Sequence, residues 1–208
     1  MKPITSYEQL DKLGRVRLSP NFYMRDFLYS EIAAWHKRTN FPDYPDRAIE
    51  AGEQLCQLLL EPLQATFGRL EIRSAYRSPT LNDFGNQQGL NCGSTKSNHG
   101  AHIWDYPDSV RKEPGAMACI VVPWFVDRLP AGAQWIDMAW WIHDHLPYST
   151  LQFFVSGAFN IGWQKTPQRV ITSTMTPRKL TSPDMENHSG SHASEYPNFP
   201  TLKTIPAN

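Results

Sequence analysis

A short segment near the middle of the chain concentrates side chains that can bind a metal ion. His99, His102 and Asp105 lie within seven residues of one another. Imidazole nitrogens and a carboxylate are the ligands that zinc selects, and two histidines with one carboxylate also suit ferrous iron with open coordination positions. On a helix, His99 and His102 would share a face. The alternative from spacing alone is that these are polar loop residues that cap turns.

Two other groups of reactive side chains are weaker candidates. His143 and His145 flank Asp144 on a predicted helix. Histidines two positions apart point to different faces of a helix, which favours surface and rim positions over shared ligation. Cys92 could join Cys119 around a metal or act as a nucleophile, although a buried, idle thiol is the commoner outcome.

The last histidines and the tryptophans favour structural roles. His188 and His192 have i, i+4 spacing, but the Ser-Gly between them argues against a helix. We expect this part of the chain to be disordered unless it folds back over a groove. The Trp-rich segment 135–141 and Trp163 are more typical of a core than of a ligand platform.

Composition excludes several classes of protein. The chain has 208 residues, of which 40% are hydrophobic and 19% are charged, and this fits one domain with a core. Its formal net charge of +0 leaves no basic surplus for nucleic acid. The apolar stretch 116–126 is too short to span a membrane, and the polar start gives no secretion signal, so we expect a reducing, cytoplasmic location. The three cysteines are too few and scattered for a disulfide framework.

The first half of the chain predicts an arm, two helices and a strand. Residues 1–17 form the predicted N-terminal arm, and an imperfect apolar stripe predicts a helix over 24–37. A better-defined helix starts at Asp46 and ends at Gly68, with a kink at Pro62 because proline removes a backbone hydrogen bond. Alternating side chains over 70–76 predict a half-buried strand.

The second half alternates loops with short regular elements. The segment 83–114 is rich in Gly, Asn, Ser and His and is predicted to be a long loop. A buried strand is expected over 116–122, a helix over 133–146, and two more strands over 150–155 and 169–174. Residues 176–208 have few apolar anchors, which predicts an extended tail.

Four segments of the chain resemble the zinc D-Ala-D-Ala carboxypeptidase family, which includes cell-wall peptidases and phage endolysins and shares its core with hedgehog domains. They are residues 18–22, 60–63, 74–82 and 97–99. The most specific is Tyr-Arg-Ser-Pro-x-Leu-Asn, and the resemblance covers about residues 18–175. It implies an α+β fold whose central antiparallel sheet, with flanking helices, carries one zinc ion. It also implies small peptides, such as peptidoglycan stem peptides, as substrates, and a phage-encoded protein is among the sources it suggests.

The family's roles transfer unevenly to this sequence. Arg77 matches the arginine that contacts substrate, with Ser78 and Ser97 as further substrate contacts, and His99 matches the first zinc ligand. The strand that ends the zinc motif matches residues 115–120, so 100–114 is mostly an insertion and the ligand aspartate is replaced. Three positions depart from the family pattern, namely Cys119 for the aspartate, Phe154 for the general-base glutamate and Asn160 for the later histidine ligand.

These replacements are compatible with three hypotheses about function. A zinc hydrolase needs about three protein ligands and an open water position. The inserted segment could rebuild a site from His99, His102 and Asp105, and Cys119 keeps zinc binding possible as a thiolate. The fold could instead keep a ligand groove and lose hydrolysis, as in a binding or virion-associated module, or the alignment could hide an ordinary peptidase. All three expect His99 and Arg77 at the floor of one cavity.

Overall fold

A mixed β-sheet forms the centre of the molecule, and the computed structural model describes residues 4–203. Six strands are found in that range, in the spatial order β1-β2-β4-β3-β5-β6. Their bounds are β1 Glu71–Ser74, β2 Gly115–Val121, β3 Thr150–Phe153, β4 Phe159–Gln164, β5 Val170–Ser173 and β6 Lys179–Thr181. All neighbours are antiparallel except β3 and β5, which are parallel. The predicted α+β class is confirmed, and the sheet is mixed where an antiparallel one was expected.

Helices flank this sheet. Over the described residues they are α1 Tyr7–Gly14, α2 Arg25–Leu28, α3 Glu31–His36, α4 Pro45–Leu55, α5 Glu61–Phe67, α6 Pro79–Gln87, α7 Thr95–Asn98, α8 Pro123–Val126 and α9 Trp135–His145. Short 3₁₀ turns occupy Leu129–Ala131, Glu186–His188 and Ala193–Glu195. No helix in the described range is long and apolar enough to cross a membrane.

The N-terminal elements differ from the sequence predictions. The predicted arm contains α1, which begins with a capping box between Ser6 and Gln9 and buries Leu13 completely. The single helix predicted over 24–37 is two helices, because Tyr29 adopts an extended conformation and Ser30 caps α3 by accepting from the Ala33 amide. This break places Tyr29 and Ser30 in a connection that later forms one rim of a cleft.

The long helix predicted between Asp46 and Gly68 is confirmed, and it is irregular near Pro62, where a kink was predicted. A π-helical segment, Cys56–Leu60, joins α4 to α5 just before Pro62. Proline cannot donate a backbone hydrogen bond, and the wider turn starts a new helix in which Pro62 occupies the first turn. Positive φ at Gly68 ends α5, as predicted.

The two faces of the sheet have different roles. In β2, the side chains of Ala116, Ala118 and Ile120 are fully buried in the core. Because successive side chains on a strand alternate between faces, Met117 and Cys119 lie on the opposite face. The core side includes α4 and α9, and Trp141 is completely buried there, which confirms the core prediction for the Trp-rich segment.

The C-terminal segment packs against the domain instead of extending as a free tail. Its strand β6 pairs with β5, and the indole of Trp141 donates to the carbonyl of Pro200 at 2.8 Å. The carboxylate of Asp144 accepts hydrogen bonds from the backbone and Nδ1 of His192 and from the hydroxyl of Tyr196, at 2.7–2.8 Å. The expectation of disorder at His192 is therefore wrong, whereas the final part of the predicted tail, 204–208, lies outside the described residues.

Asp144 is the anchor whose loss should release this segment. We expect Asp144→Ala to lower the free energy of unfolding by about 2 kcal/mol, because three donors lose one partly buried acceptor. Amide hydrogen exchange over 186–200 should accelerate, while exchange in β2 stays slow. Glu50→Ala, a change at an exposed carboxylate on α4, is the matched control. Equal exchange in the two variants would contradict the assignment.

Candidate functional site

The candidate site is a cleft on the face of the sheet that carries Cys119. It has a volume of about 390 Å³, within the range of small-molecule sites. The connection from α2 to α3 and residues 90–91 form part of its wall. The side chains of interest are those of Arg73, Arg77, His102, Cys119, Phe154 and Asn160, and we call this site the Arg77 cleft.

Arg77 is held in place by its own backbone and by a buried amide. Its backbone N–H donates to the carbonyl of His102 at 2.8 Å. Its Nη1 donates to Oδ1 of Asn82 at 3.0 Å, and Asn82 is completely buried in α6. Nε and Nη2 have no hydrogen-bond partner, and no carboxylate pairs with Arg77, among residues 4–203. Part of the guanidinium fork is therefore free to bind a ligand.

Ser78 has a structural role beside Arg77. Its side chain accepts from the Leu81 amide and so caps α6, and its own backbone N–H donates to Oδ1 of Asn40. Ser78 is 6% exposed. Ser78 thus orients the helix that carries Asn82, and its predicted contact with substrate stays a prediction.

His102 presents one nitrogen to the cleft. Its side chain is only 8% exposed, and Nδ1 lies 2.8 Å from the carbonyl oxygen of Ala75. A carbonyl can only accept, so Nδ1 carries the hydrogen and Nε2 carries the lone pair. Burial, and next the charge of Arg77, lower the pKa of His102 to about 4, so the ring is neutral at pH 7.

Cys119 and Asn160 are cross-strand partners at the floor of the cleft. Burial raises the pKa of the Cys119 thiol, so the thiol keeps its proton at neutral pH. Asn160 donates to Gln152 at 3.2 Å. Phe154 follows β3 and lines the same cleft. The three positions where the chain departs from the carboxypeptidase pattern thus converge on the Arg77 cleft.

His99 does not share this cleft. It lines a separate cavity of about 160 Å³ together with Ser97, and its ring stacks on Tyr106 with centroids 5.0 Å apart. The expectation that His99 and Arg77 meet at one cavity floor is therefore wrong. The chain turns at Gly100, which has a φ of +67°, and three residues after His99 it delivers His102 to the cleft instead.

The path of this turn is fixed by contacts with β2. A side chain at Gly115 would place its Cβ 2.2 Å from the carbonyl oxygen of Gly100, so the two backbones approach too closely for any other residue. The amide of Met117 donates to the carbonyl of Ala101 at 3.0 Å, and the indole of Trp104 donates to the carbonyl of Met117. His102 lies between these two contacts.

The carboxylate of Asp105 has a structural role, because it accepts hydrogen bonds from within the protein. Asp105 is 1% exposed, and its carboxylate accepts from the backbone amides of Asp43 and Tyr44 and from the hydroxyl of Tyr76. Burial raises the pKa of the Asp105 carboxyl despite these bonds. The proposed set of His99, His102 and Asp105 is thus not brought together.

The donor set of the cleft does not fit a three-ligand zinc site. His102, Cys119 and the carboxylate of Glu31 are suitable donors that line the cleft, but these three described side chains are not grouped around one point. The Asn160 amide is a poor zinc ligand. Within residues 4–203, no group of three or more His, Cys, Asp and Glu side chains is arranged to hold a metal ion. Zinc or ferrous iron stays a prediction from the sequence.

His143, His145 and Cys92 pack against other parts of the fold outside the Arg77 cleft. His143 is buried, with Nδ1 2.7 Å from the Tyr148 hydroxyl, so the rim position predicted for it is wrong. His145 stacks on Trp141. Cys92 is a free, buried thiol and packs so closely against Gly85 that a Cβ there would lie 2.4 Å from its sulfur.

Sequence reasoning missed two residues that line the cleft and a third that orients Arg77. Arg73 brings a second guanidinium, Glu31 brings a carboxylate, and Asn82 orients Arg77. Asn82 is the last residue of the Tyr-Arg-Ser-Pro-x-Leu-Asn segment, five positions after Arg77. Its position just after Ser-Pro, a pair typical of a helix start, was the signal that could have indicated a contact with Arg77. Arg73 lies in the predicted strand, where a β-bulge between Ile72 and Ser74 changes the register.

Comparisons with known proteins identify no relative. No protein-family model matches the chain, and searches of curated proteins and of solved structures return no match. The case for function therefore depends on the geometry of the Arg77 cleft.

The buried, neutral state of His102 predicts a pH-dependent stability. Between pH 6.5 and about 4 the unfolded chain binds a proton that folded His102 does not, so its contribution to stability is lost as pH falls through this window. We expect the free energy of unfolding to fall more steeply from pH 7 to pH 5 in the parent protein than in His102→Gln, by about 2 kcal/mol. Denaturant titrations at both pH values measure this, and parallel losses would show that His102 titrates normally.

Proposed function

We propose that the Arg77 cleft binds the C-terminal carboxylate of a short peptide. The observation that carries the proposal is the guanidinium of Arg77, which Asn82 orients and no acid of the described chain neutralises, in a cleft of about 390 Å³. Arginine matches a carboxylate with two parallel N–H···O hydrogen bonds, an arrangement that lysine cannot reproduce.

The charges of the cleft favour an anionic ligand. Arg73 and Arg77 contribute two positive charges and Glu31 contributes one negative charge. His102 and Cys119 are neutral at pH 7, since burial lowers the pKa of the first and raises that of the second. The net positive charge attracts a carboxylate, and the neutral floor suits the uncharged amide next to it.

The resemblance to D-Ala-D-Ala carboxypeptidases supports a peptide ligand, with peptidoglycan stem peptides as the class it suggests. Four aligned positions, Arg77, Cys119, Phe154 and Asn160, line one cleft although they are far apart in sequence. At the position of the family's general base stands Phe154, which cannot accept a proton. These substitutions favour a binding module that keeps the groove without the family's hydrolytic chemistry.

Loss of either charged partner should weaken binding. The probe is an N-acylated tripeptide ending in D-Ala-D-Ala, measured by isothermal titration calorimetry against its C-terminal amide. We expect Arg77→Ala, or the amide in place of the acid, to weaken binding by about 10- to 100-fold, since a charged hydrogen-bonded pair is lost. Arg178→Ala, which removes an exposed arginine from the other end of the sheet, is the matched control. Equal affinity for acid and amide would refute a carboxylate site.

A metal-dependent hydrolase is the second candidate, because His102 and Cys119 place two donors in the same cleft. The two candidates differ in their response to chelation. For the binding module, we expect peptide affinity to be unchanged after dialysis against EDTA. If zinc binds stoichiometrically, His102→Ala abolishes its uptake while His99→Ala does not, and the peptide is cleaved, then the hydrolase replaces the binding module.

A further inference from the structure

The Nε2 atom of His102 is an acceptor in the wall of the cleft that has no donor among the described residues. His102 is 8% exposed, and its one hydrogen bond is made by Nδ1 to the carbonyl of Ala75. Among the described residues, no side chain or backbone N–H donates to Nε2. No side-chain nitrogen or oxygen of the described residues is both fully buried and unpaired, so Nε2 reaches the open space of the cleft, where the ligand or water must donate to it.

The identity of the missing partner follows from the tautomer. The Ala75 carbonyl keeps the hydrogen on Nδ1, because the opposite tautomer would set two lone pairs against each other. The pKa of His102, lowered to about 4, keeps the ring from becoming a donor at Nε2 at neutral pH. Nε2 therefore accepts only, and its ligand must bring an N–H or O–H group.

No other side chain that lines the cleft donates to Nε2 among the described residues. The Asn160 amide donates to Gln152, and Phe154 has no polar side-chain atom. The thiol of Cys119 is a weak donor, and no contact between it and His102 is found in the described chain. The free lone pair is thus available to whatever occupies the cleft.

The donor must lie close to the carboxylate that Arg77 binds. The backbone hydrogen bond from Arg77 to the His102 carbonyl, 2.8 Å long, places the two residues side by side. In a peptide, the N–H of the last residue is attached to the same carbon as the terminal carboxylate. A peptide end therefore offers an anion and a donor a few bonds apart, which suits two side chains that line the same cleft and interact electrostatically.

We infer that His102 Nε2 accepts a hydrogen bond from the last amide N–H of the peptide whose carboxylate binds Arg77, so that the cleft selects peptides against their ester analogues. This inference rests on the proposed function. In the ester, oxygen replaces the N–H and turns a lone pair toward Nε2. The bound ligand then shields Nε2 from water, and the acceptor stays unpaired and faces a repulsive neighbour.

The experiment compares two ligands of the same size and charge. They are the N-acylated tripeptide acid ending in D-Ala-D-Ala and its analogue with an ester in place of the last amide, both titrated in the presence of EDTA. We expect the intact protein to bind the amide about 10- to 100-fold more tightly than the ester, as for other sites that lose a buried hydrogen bond.

Variants at His102 assign this preference to its imidazole. His102→Phe keeps a planar ring without an acceptor, and the amide-to-ester ratio should fall to near one. His102→Gln restores an acceptor oxygen and should recover part of the ratio. Arg77→Ala should weaken both ligands and leave their ratio intact, because the carboxylate is common to both.

The possible results separate the two claims. If neither ligand binds the intact protein, the proposed function fails. If both bind equally well, or if the preference survives in a folded His102→Phe, the peptide site stands and the inference about His102 is wrong. Nitrogen NMR of His102 in the intact protein provides a test that needs no variant. Its Nε2 resonance should shift on binding the amide and not the ester, and equal shifts would overturn the inference.

Discussion

The hydrogen bond from His102 Nδ1 to the carbonyl of Ala75 is the contact on which the account of the cleft depends. It joins the end of β1 to the segment that follows α7, across 27 positions of sequence. It also fixes the tautomer, so one bond decides both where the ring lies and which nitrogen faces the cleft. The reciprocal backbone bond from Arg77 to the His102 carbonyl completes the junction. The residue proposed to bind the carboxylate, Arg77, and the residue proposed to bind the amide, His102, are thus joined by a backbone hydrogen bond.

The remainder of the fold supports this junction from two sides. Beneath it, the contacts of Ala101 and Trp104 with Met117 fix the segment to β2, and Asp105 ties it to residues 43–44. On the core side of the sheet, α9 and the C-terminal segment cover an aromatic cluster in which Phe199 contacts Phe67 and Trp124. The main apolar cluster includes the side chains of Ala116, Ala118 and Ile120 on the other face, which leaves the cleft face of β2 partly open, a division that antiparallel strands permit.

Elements with a strong local pattern could be predicted from the sequence, and those fixed by distant contacts could not. Strand β2 and helix α9 follow from apolar runs and helical spacing, and the irregular helix around Pro62 follows from proline chemistry. Strand β4 was not predicted, although Phe159, Ile161 and Trp163 alternate with Asn160, Gly162 and Gln164 and both neighbouring strands pair with it. The position of His192 depends on Asp144, 48 residues away, which no local pattern reveals. The choice between His99 and His102 depends on one turn at Gly100 and on the backbone approach to Gly115, whereas the resemblance to the carboxypeptidase motif pointed to His99, which lies outside the cleft.

A crystal structure of the protein with the D-Ala-D-Ala tripeptide acid tests the central claim most directly. The account predicts the terminal carboxylate within hydrogen-bond distance of Arg77 and the last amide nitrogen within hydrogen-bond distance of His102 Nε2, with the Ala75 contact preserved. A peptide bound in the cavity of His99, or a metal ion on His102 Nε2 between protein and peptide, would contradict it.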